Sequence, residues 1–102
     1  MNVIGNFKTP VIRNSKWLAA VRSLEHCVLC GMYGVQAAHR NEGKGLSQKT
    51  SDCLTAALCM TCHNEIDNGN KLELSERRAR MDRAIVLTVE ALAQAGLIKV
   101  AA

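Results

Sequence analysis

The sequence predicts one small α+β domain with a thin hydrophobic core, and three observations lead to this expectation. The chain has 102 residues, which suffice for one core but not for a second. Only three residues are aromatic, so alanine and the branched aliphatic residues must fill that core. Helix-like and strand-like segments follow one another without a repeat, a low-complexity tract or a linker. We therefore expect residues 1–102 to form a single domain that benefits from an additional cross-link, such as a disulfide or a structural metal ion.

The N-terminal part of the chain predicts an irregular arm followed by a short helix. Residues 1–13 hold the only proline and show no clear hydrophobic period. From Asn14 or Ser15, either of which can cap a helix, the segment SKWLAAVRSLE places its apolar side chains near one face. The next segment, CVLCGMYGVQAAHR, contains two glycines and predicts a tight cysteine turn that opens into a short hairpin.

The C-terminal part predicts a buried segment and two helices after the polar loop NEGKGLSQKTSD. CLTAALC is apolar enough to be buried, and MTCHNEID starts a short helix that stops at NGN, where Gly69 lies between two asparagines. The last and longest helix, ERRARMDRAIVLTVEALAQA, has Ser75 as its expected N-cap and Gly96 just after its C-cap. Its arginines precede its densest apolar positions, so we expect it to be half surface and half core. These apolar positions are Met81, Ile85, Leu87, Val89 and Leu92.

Charge and hydropathy limit the partners and the compartment. The net charge of +4 and the isoelectric point near 9.0 mildly favour a polyanionic partner, although an ordinary basic domain has the same balance. No apolar run reaches the roughly 18 residues that span a bilayer, and the N-terminus lacks the compact apolar segment of a signal peptide. We therefore expect no membrane partner and a cytoplasmic location. Thiols stay reduced there, so closely paired cysteines indicate a metal site rather than disulfides.

Four of the five cysteines form two C-x-x-C pairs whose spacing is typical of a zinc site. The pairs are Cys27 with Cys30 and Cys59 with Cys62. Each pair can place two thiolates on one ion from a tight turn, and two pairs complete the sulfur tetrahedron that zinc prefers. A zinc ion that joins the first cysteine turn to the start of a later helix gives a treble clef, and its affinity becomes folding free energy. Cys53 is interpreted as a small apolar residue.

Two histidines and a carboxylate form a candidate catalytic group. His39 ends the predicted hairpin, and His63 directly follows Cys62 in the first turn of the short helix. The zinc ion would hold these two segments together, so His39 could face His63 across a shallow groove, with Asp67 one helical turn further on. An imidazole that takes a proton, beside an imidazole and a carboxylate that hold a divalent ion, is the minimum for metal-assisted phosphodiester hydrolysis. Taken singly, each histidine is more often a solvent-facing or hydrogen-bonded structural residue than a catalytic one.

The order of these motifs carries a resemblance to a known family. A C-x-x-C pair, a histidine after a hairpin and then LC-x-x-CH resembles the HNH endonucleases, whose ββα-metal motif is often built on a treble clef. The string AAHRNEGKGLSQKTSDCLTAALCMTCHNEID, with AGLIKV near the C-terminus, is similar to the small prophage-encoded YbcO-type nucleases. The resemblance implies that His39 is the general base that deprotonates the attacking water and that His63 is a ligand of the catalytic metal ion. Asp67 stands where some HNH enzymes carry a second helical ligand.

Two positions depart from the HNH pattern. Many HNH proteins have an acidic metal ligand directly before the base, where this chain has Ala38. Many also have an asparagine before the second cysteine pair that orients the base, and the nearest polar candidate here is Asp52. Asp52 could orient His39, ligate the metal ion or simply end the loop, and the sequence leaves these roles open.

Two basic segments are candidate contacts for nucleic acid. Arg40, Lys44 and Lys49 surround the glycine-containing loop after the hairpin and could hold a phosphate track, although a flexible solvated loop has the same composition. The loop lacks the P-loop pattern GxxxxGK[ST], which argues against nucleotide hydrolysis. The arginines of the last helix are interpreted as a charged surface with Glu76 and Asp82 as partners. They are Arg77, Arg78, Arg80 and Arg83.

Taken together, these features predict an endonuclease that hydrolyses DNA phosphodiester bonds with a divalent ion and is stabilised by one structural zinc ion. The catalytic ion could be Mg²⁺, Mn²⁺ or a second Zn²⁺. The main alternative is a non-catalytic zinc-binding module that holds DNA or a recombination protein, but it leaves both histidines unexplained. A redox protein that uses its C-x-x-C pairs ranks below both, because zinc-bound thiolates would be unreactive.

Overall fold

The computed structural model describes residues 11–40, 50–68 and 72–101, and within them it has three helices and one two-stranded sheet. The predicted α+β class is confirmed. Residues 1–10 of the predicted N-terminal arm lie outside the described residues, and residues 11–13 adopt neither helix nor strand. In chain order the elements are α1 (Ser15–Arg22), β1 (Gln36–His39), β2 (Thr55–Leu58), α2 (Met60–Asn68) and α3 (Leu74–Gln94).

The first helix begins where the sequence predicts. Asn14 is the N-cap of α1, and its side-chain oxygen accepts the backbone N–H of Trp17 at 3.1 Å. This bond satisfies one of the donors that the start of a helix leaves open. Beyond α1 the chain enters the predicted tight cysteine turn, in which the N–H of Gly31 donates to the carbonyl of Cys27 at 2.8 Å.

The sheet joins two segments that lie on opposite sides of the polar loop. β1 pairs with β2 in antiparallel register, with Gln36 opposite Leu58 and His39 opposite Thr55. The strand that follows the cysteine turn therefore finds its partner in the CLTAALC segment. All four residues of β2 and the following Cys59 are buried, whereas Cys53 is half-buried and Leu54 is exposed, so the expected burial of CLTAALC holds only from Thr55 onward.

Two groups of buried side chains lie on the two faces of the sheet. Because side chains alternate between faces along a strand, Ala56 and Leu58 point to one side and Ala57 to the other. The larger group joins the sheet to the cysteines, α2 and the first half of α3, and the smaller group joins it to α1 and the end of α3. The larger group is Cys27, Ala38, Ala56, Leu58, Cys59, Cys62, Ile66, Met81 and Ala84, and the smaller is Val21, Ala57 and Leu92.

The last helix starts slightly earlier than predicted. Its N-cap is Glu73 rather than Ser75, and the side chain of Glu76 accepts the backbone N–H of Glu73 at 3.2 Å. With this bond α3 begins at Leu74, two residues earlier than it would with Ser75 as the N-cap. At the other end, Gly96 follows the C-cap with a φ of 74°, as expected for glycine in that position.

The buried face of α3 includes a polar residue that the apolar pattern did not indicate. The hydroxyl of Thr88 donates to the carbonyl of Ala84 at 2.7 Å and accepts the N–H of Ala57 in β2 at 3.1 Å. Thr88 is fully buried, whereas Val89 is exposed. Thr88 thus joins α3 to the sheet through its hydroxyl group, because the N–H of Ala57 in β2 faces the helix at that point.

Candidate metal centre and histidine–carboxylate pairs

The four paired cysteines come together as the sequence predicts. Their sulfur atoms all lie within 4.8 Å of one another, and the sulfurs of Cys30 and Cys59 are 3.6 Å apart. A tetrahedral zinc ion with bonds of about 2.3 Å needs sulfurs about 3.8 Å apart. No disulfide joins any of the five cysteines. The donor set and its spacing therefore fit one zinc ion, with Cys27, Cys30, Cys59 and Cys62 as ligands.

Three parts of the fold deliver these cysteines. Cys27 and Cys30 bracket the turn between α1 and β1, Cys59 lies between β2 and α2, and Cys62 is in the first turn of α2. The N–H of Cys62 donates to the sulfur of Cys59 at 3.4 Å. The metal site thus joins the first cysteine turn to the end of the sheet and the start of α2. The separate Cys53 is not part of the cluster.

The electrostatics of the cluster favour a cation among the sulfurs. Burial raises the pKa of the Cys27 thiol, but backbone hydrogen bonds around it, from Cys59 first, outweigh burial and lower that pKa to about 6. Burial, together with the neighbouring sulfurs, raises the pKa of Cys62. Without a metal ion, one thiolate therefore discourages its neighbours from ionising. A divalent cation would remove this conflict, since it stabilises all four as thiolates.

His39 is paired with Asp52 at the end of the hairpin. The Nε2 atom of His39 lies 2.9 Å from Oδ1 of Asp52, whose side chain is only 8% exposed. The His39 hydrogen bond is the largest cause of a lowered Asp52 pKa, with further help from the N–H of Asn14 and the guanidinium of Arg13. An ionised carboxylate only accepts hydrogen bonds, so Nε2 carries the proton and Nδ1 of a neutral ring carries the lone pair. Asp52 thus holds the His39 imidazole in one tautomer, although that side chain is 39% exposed.

His63 is paired with Asp67 on α2 and with a residue of β1. Its Nε2 atom lies 2.9 Å from Oδ2 of Asp67, and its Nδ1 atom lies 2.6 Å from Oε1 of Gln36. With the Gln36 amide in this orientation, Nδ1 donates, and Nε2 of a neutral ring directs a lone pair at a carboxylate oxygen. A divalent metal ion placed between the two atoms would make that contact favourable. Among the described residues, the buried Oδ1 of Asp67 has no hydrogen-bond partner.

Each histidine has its own carboxylate partner, and no hydrogen bond joins the two pairs within the described residues. In β1, Gln36 and Ala38 point to one face of the sheet, whereas His39 starts from the other. The described parts of the chain contain no cluster of three or more histidine, cysteine or acidic ligands besides the four cysteines. The expectation that His39 and His63 face one common point therefore stays a prediction. Ala38, which replaces the acidic ligand of many HNH proteins, is buried.

Of the three loop residues predicted to contact nucleic acid, Arg40 lies among the described residues. Arg40 forms an ion pair with Asp82 of α3, with Nε 2.9 Å from Oδ1. Asp82 was expected to pair with the arginines of its own helix. Lys44 and Lys49 lie outside the described residues.

Two arginines of α3, Arg77 and Arg80, have partners other than those expected from the sequence. Arg80 lies 3.1 Å from Glu65 of α2, and Nη1 of Arg77 donates to the carbonyl of Asp67 at 3.2 Å. Arg77 thereby covers carbonyl groups at the end of α2. Glu76, which was expected to pair with arginine, caps α3 instead.

Two residues of the site were not identified from the sequence. Gln36 carries no motif, and its contact with His63 depends on the pairing of strands far apart in the chain. Arg13 was placed in the irregular arm, yet its Nη1 atom lies 3.1 Å from the same Asp52 oxygen that binds His39. The only signal for Arg13 was its place beside the cap of α1.

The described helices include none with the length and apolarity needed to cross a membrane. Comparisons with protein-family models, with curated proteins and with solved structures find no match to this chain. The resemblance to the HNH endonucleases therefore depends on the motif residues alone.

Proposed function

We propose that the chain is a zinc-stabilised treble clef of the HNH type that hydrolyses DNA phosphodiester bonds with a divalent ion. The observation that carries this proposal is the contact between His39 and Asp52. A buried carboxylate holds one nitrogen of a partly exposed imidazole at 2.9 Å, so the other nitrogen has a defined orientation and a lone pair. This is the arrangement of a general base with its orienting partner.

The proposed chemistry assigns separate tasks to the two histidine–carboxylate pairs. Nδ1 of His39 takes the proton from the attacking water, while Asp52 holds the ring and stabilises the imidazolium that forms. His63 and Asp67 would hold the divalent ion, and their 2.9 Å spacing is close to the roughly 3.0 Å between neighbouring ligands on a small octahedral ion. Such an ion supplies stabilisation of charge on the phosphate and on the leaving oxygen. Gln36 keeps the His63 ring oriented toward Asp67.

The test is the nicking of supercoiled plasmid by zinc-loaded protein with Mg²⁺ or Mn²⁺. His39→Ala is expected to lower the rate about 10²- to 10⁴-fold, as is typical for the loss of a general base. His26→Ala is the matched control, because His26 is exposed, lies beside Tyr33 and contacts neither carboxylate. If folded wild-type protein cuts no duplex, single-stranded or branched DNA with any of these ions, the endonuclease proposal fails.

A non-catalytic zinc-binding module for DNA is the second candidate, and the His63 contacts favour it. Both ring nitrogens of His63 already have partners in the chain, and buried Ala38 supplies no further ligand. Such a module would bind DNA through phosphates and lose affinity steeply with added salt. Zinc-loaded protein that retains DNA in a salt-dependent manner and does not cut it would support this candidate. Purified protein that contains no zinc would instead revive a redox role for the cysteines.

A further inference from the structure

The segment before α1 is pinned to the end of the loop before β2. The N–H of Ile12 donates to the hydroxyl of Ser51 at 2.9 Å, and the N–H of Asp52 donates to the carbonyl of Ile12 at the same distance. The N–H of Asn14 donates to Oδ2 of Asp52 at 2.7 Å. These three bonds hold the segment in place without any charge from Arg13.

Arg13 adds an oriented cation to this pinned segment. Its Nη1 atom donates to the carbonyl of Thr50 at 2.8 Å and to Oδ1 of Asp52 at 3.1 Å. The side chain is nevertheless 50% exposed, and both hydrogen bonds found among the described residues use the same nitrogen. A guanidinium has five N–H donors, so Nε and Nη2 can still grip a planar pair of oxygen atoms. The two bonds at Nη1 restrict the side chain and reduce the entropy lost on binding.

Arg13 and His39 meet at one oxygen atom. Oδ1 of Asp52 is 3.1 Å from Nη1 of Arg13 and 2.9 Å from Nε2 of His39, so the two nitrogens are at most about 6 Å apart. Asp52 balances one positive charge, which keeps the cation close to the imidazole without strong repulsion. A phosphodiester group carries the negative charge and the paired oxygens that a guanidinium binds, and one held by Arg13 would lie beside the His39 ring.

We propose that Arg13 and His39 form a phosphodiester-binding site, in which Arg13 grips the two non-bridging oxygens. The ligand class is a nucleic-acid backbone phosphate, bound without regard to base sequence, because only the phosphate is contacted. The site rests on the proposed function in that it places the scissile phosphate beside the base. It concerns binding, however, and can be tested without turnover.

The direct test uses full-length, zinc-loaded protein labelled with ¹⁵N and titrated with diethyl phosphate, a small phosphodiester. The expected result is a saturable shift of the Arg13 Nε–H signal and of the His39 ring signals. Arg22 is the internal control, because it is an exposed arginine at the other end of α1. A sodium chloride titration at equal ionic strength separates binding from screening. If Arg13 and Arg22 shift alike, or if neither shifts, the proposal is overturned.

Variants separate this proposal from the endonuclease proposal. Arg13→Gln is expected to abolish the His39 shift and to lower any DNA cleavage about 10- to 100-fold, which is typical for one charge-assisted contact. Arg13→Lys should restore only part of the effect, since lysine cannot bind two oxygens side by side, and Arg22→Gln should change neither signal nor rate. Cleavage that Arg13→Gln leaves unchanged overturns the binding site and spares the endonuclease. If the wild type binds the phosphodiester but cuts no DNA, the endonuclease proposal is overturned and the binding site is supported. If Arg13→Gln fails to fold, the wild-type titration still decides.

Discussion

The cysteine cluster and the histidine–carboxylate pairs differ in how strongly the fold depends on them. The cysteines bring four sulfurs within 4.8 Å from three parts of the chain, and three of the four are buried. The histidine pairs lie nearer the surface, and each is closed by hydrogen bonds to its own carboxylate. A metal ion bound by these cysteines would thus lie in the core of the domain. In the second region hydrogen bonds between side chains hold the two histidines near the surface, so substitutions there should alter chemistry more than folding.

The largest effect is expected from the loss of one cysteine ligand. Cys62→Ser should leave the domain unfolded and free of zinc, because structural zinc contributes about 10–16 kcal/mol in small domains, as much as the whole stability of a typical domain. Circular dichroism and zinc analysis of the purified protein measure both effects. Cys53→Ser is the matched control and should keep one zinc ion, since Cys53 lies outside the cluster. A folded, cooperatively melting Cys62→Ser protein would remove the distinction between the two regions.

A smaller loss of stability is expected at Asp52, whose carboxylate accepts three hydrogen bonds. Asp52→Asn should lower the free energy of unfolding and release residues 11–14 without removing zinc. The pKa of Asp52 is below its usual value of 3.8 in the folded chain, chiefly because His39 binds it. The stabilisation is therefore complete above about pH 4 and is lost as the pH falls through the lowered pKa. Urea unfolding should show a less stable variant at every pH from 8 to 5, and a difference that disappears within this range would assign the stabilisation to another group.

These two regions also differ in what the sequence alone could predict. The cysteine cluster follows from local spacing, because each C-x-x-C pair forms its half of the site within one turn. The cap of α1 at Asn14 and the glycine after α3 are equally local. Asp67 could be placed beside His63 because residues four apart on a helix share a face.

The contacts that depend on distant pairing were not predictable in the same way. Gln36 reaches His63 only because β1 pairs with β2 in a register that begins at Leu58. Arg13 reaches Asp52 only because the segment before α1 lies along residues 50–52. The choice of Glu73 over Ser75 as N-cap is instead local, because the N–H of Glu73 donates to the side chain of Glu76 three residues on. Where the sequence offered several roles for Asp52, the structure shows its contact with His39.

A change confined to the second region is expected from Gln36→Leu. The variant loses the amide that binds Nδ1 of His63. Its affinity for the proposed divalent ion should fall about 10-fold or more, as is usual when a ligating histidine loses its orienting partner. Paramagnetic broadening of the Asp67 and His63 signals by Mn²⁺ measures the affinity. The structural zinc and the melting temperature should stay close to wild type. Gln94→Leu is the control, because Gln94 ends α3 on the exposed surface. An equal loss of Mn²⁺ affinity in both variants would refute the role of Gln36.

The smallest effect is expected from Arg80→Gln, which removes an ion pair between α3 and the helix that carries His63. Arg80 and Glu65 lie 3.1 Å apart, and both side chains are nearly half exposed. Solvent screens such pairs, so the free energy of unfolding should change by less than about 1 kcal/mol. Zinc content and Mn²⁺ affinity should stay within about twofold of wild type. A clear loss of Mn²⁺ affinity would mean that surface charges on α3 set the position of α2. The zinc site alone would then not be enough to orient His63 and Asp67.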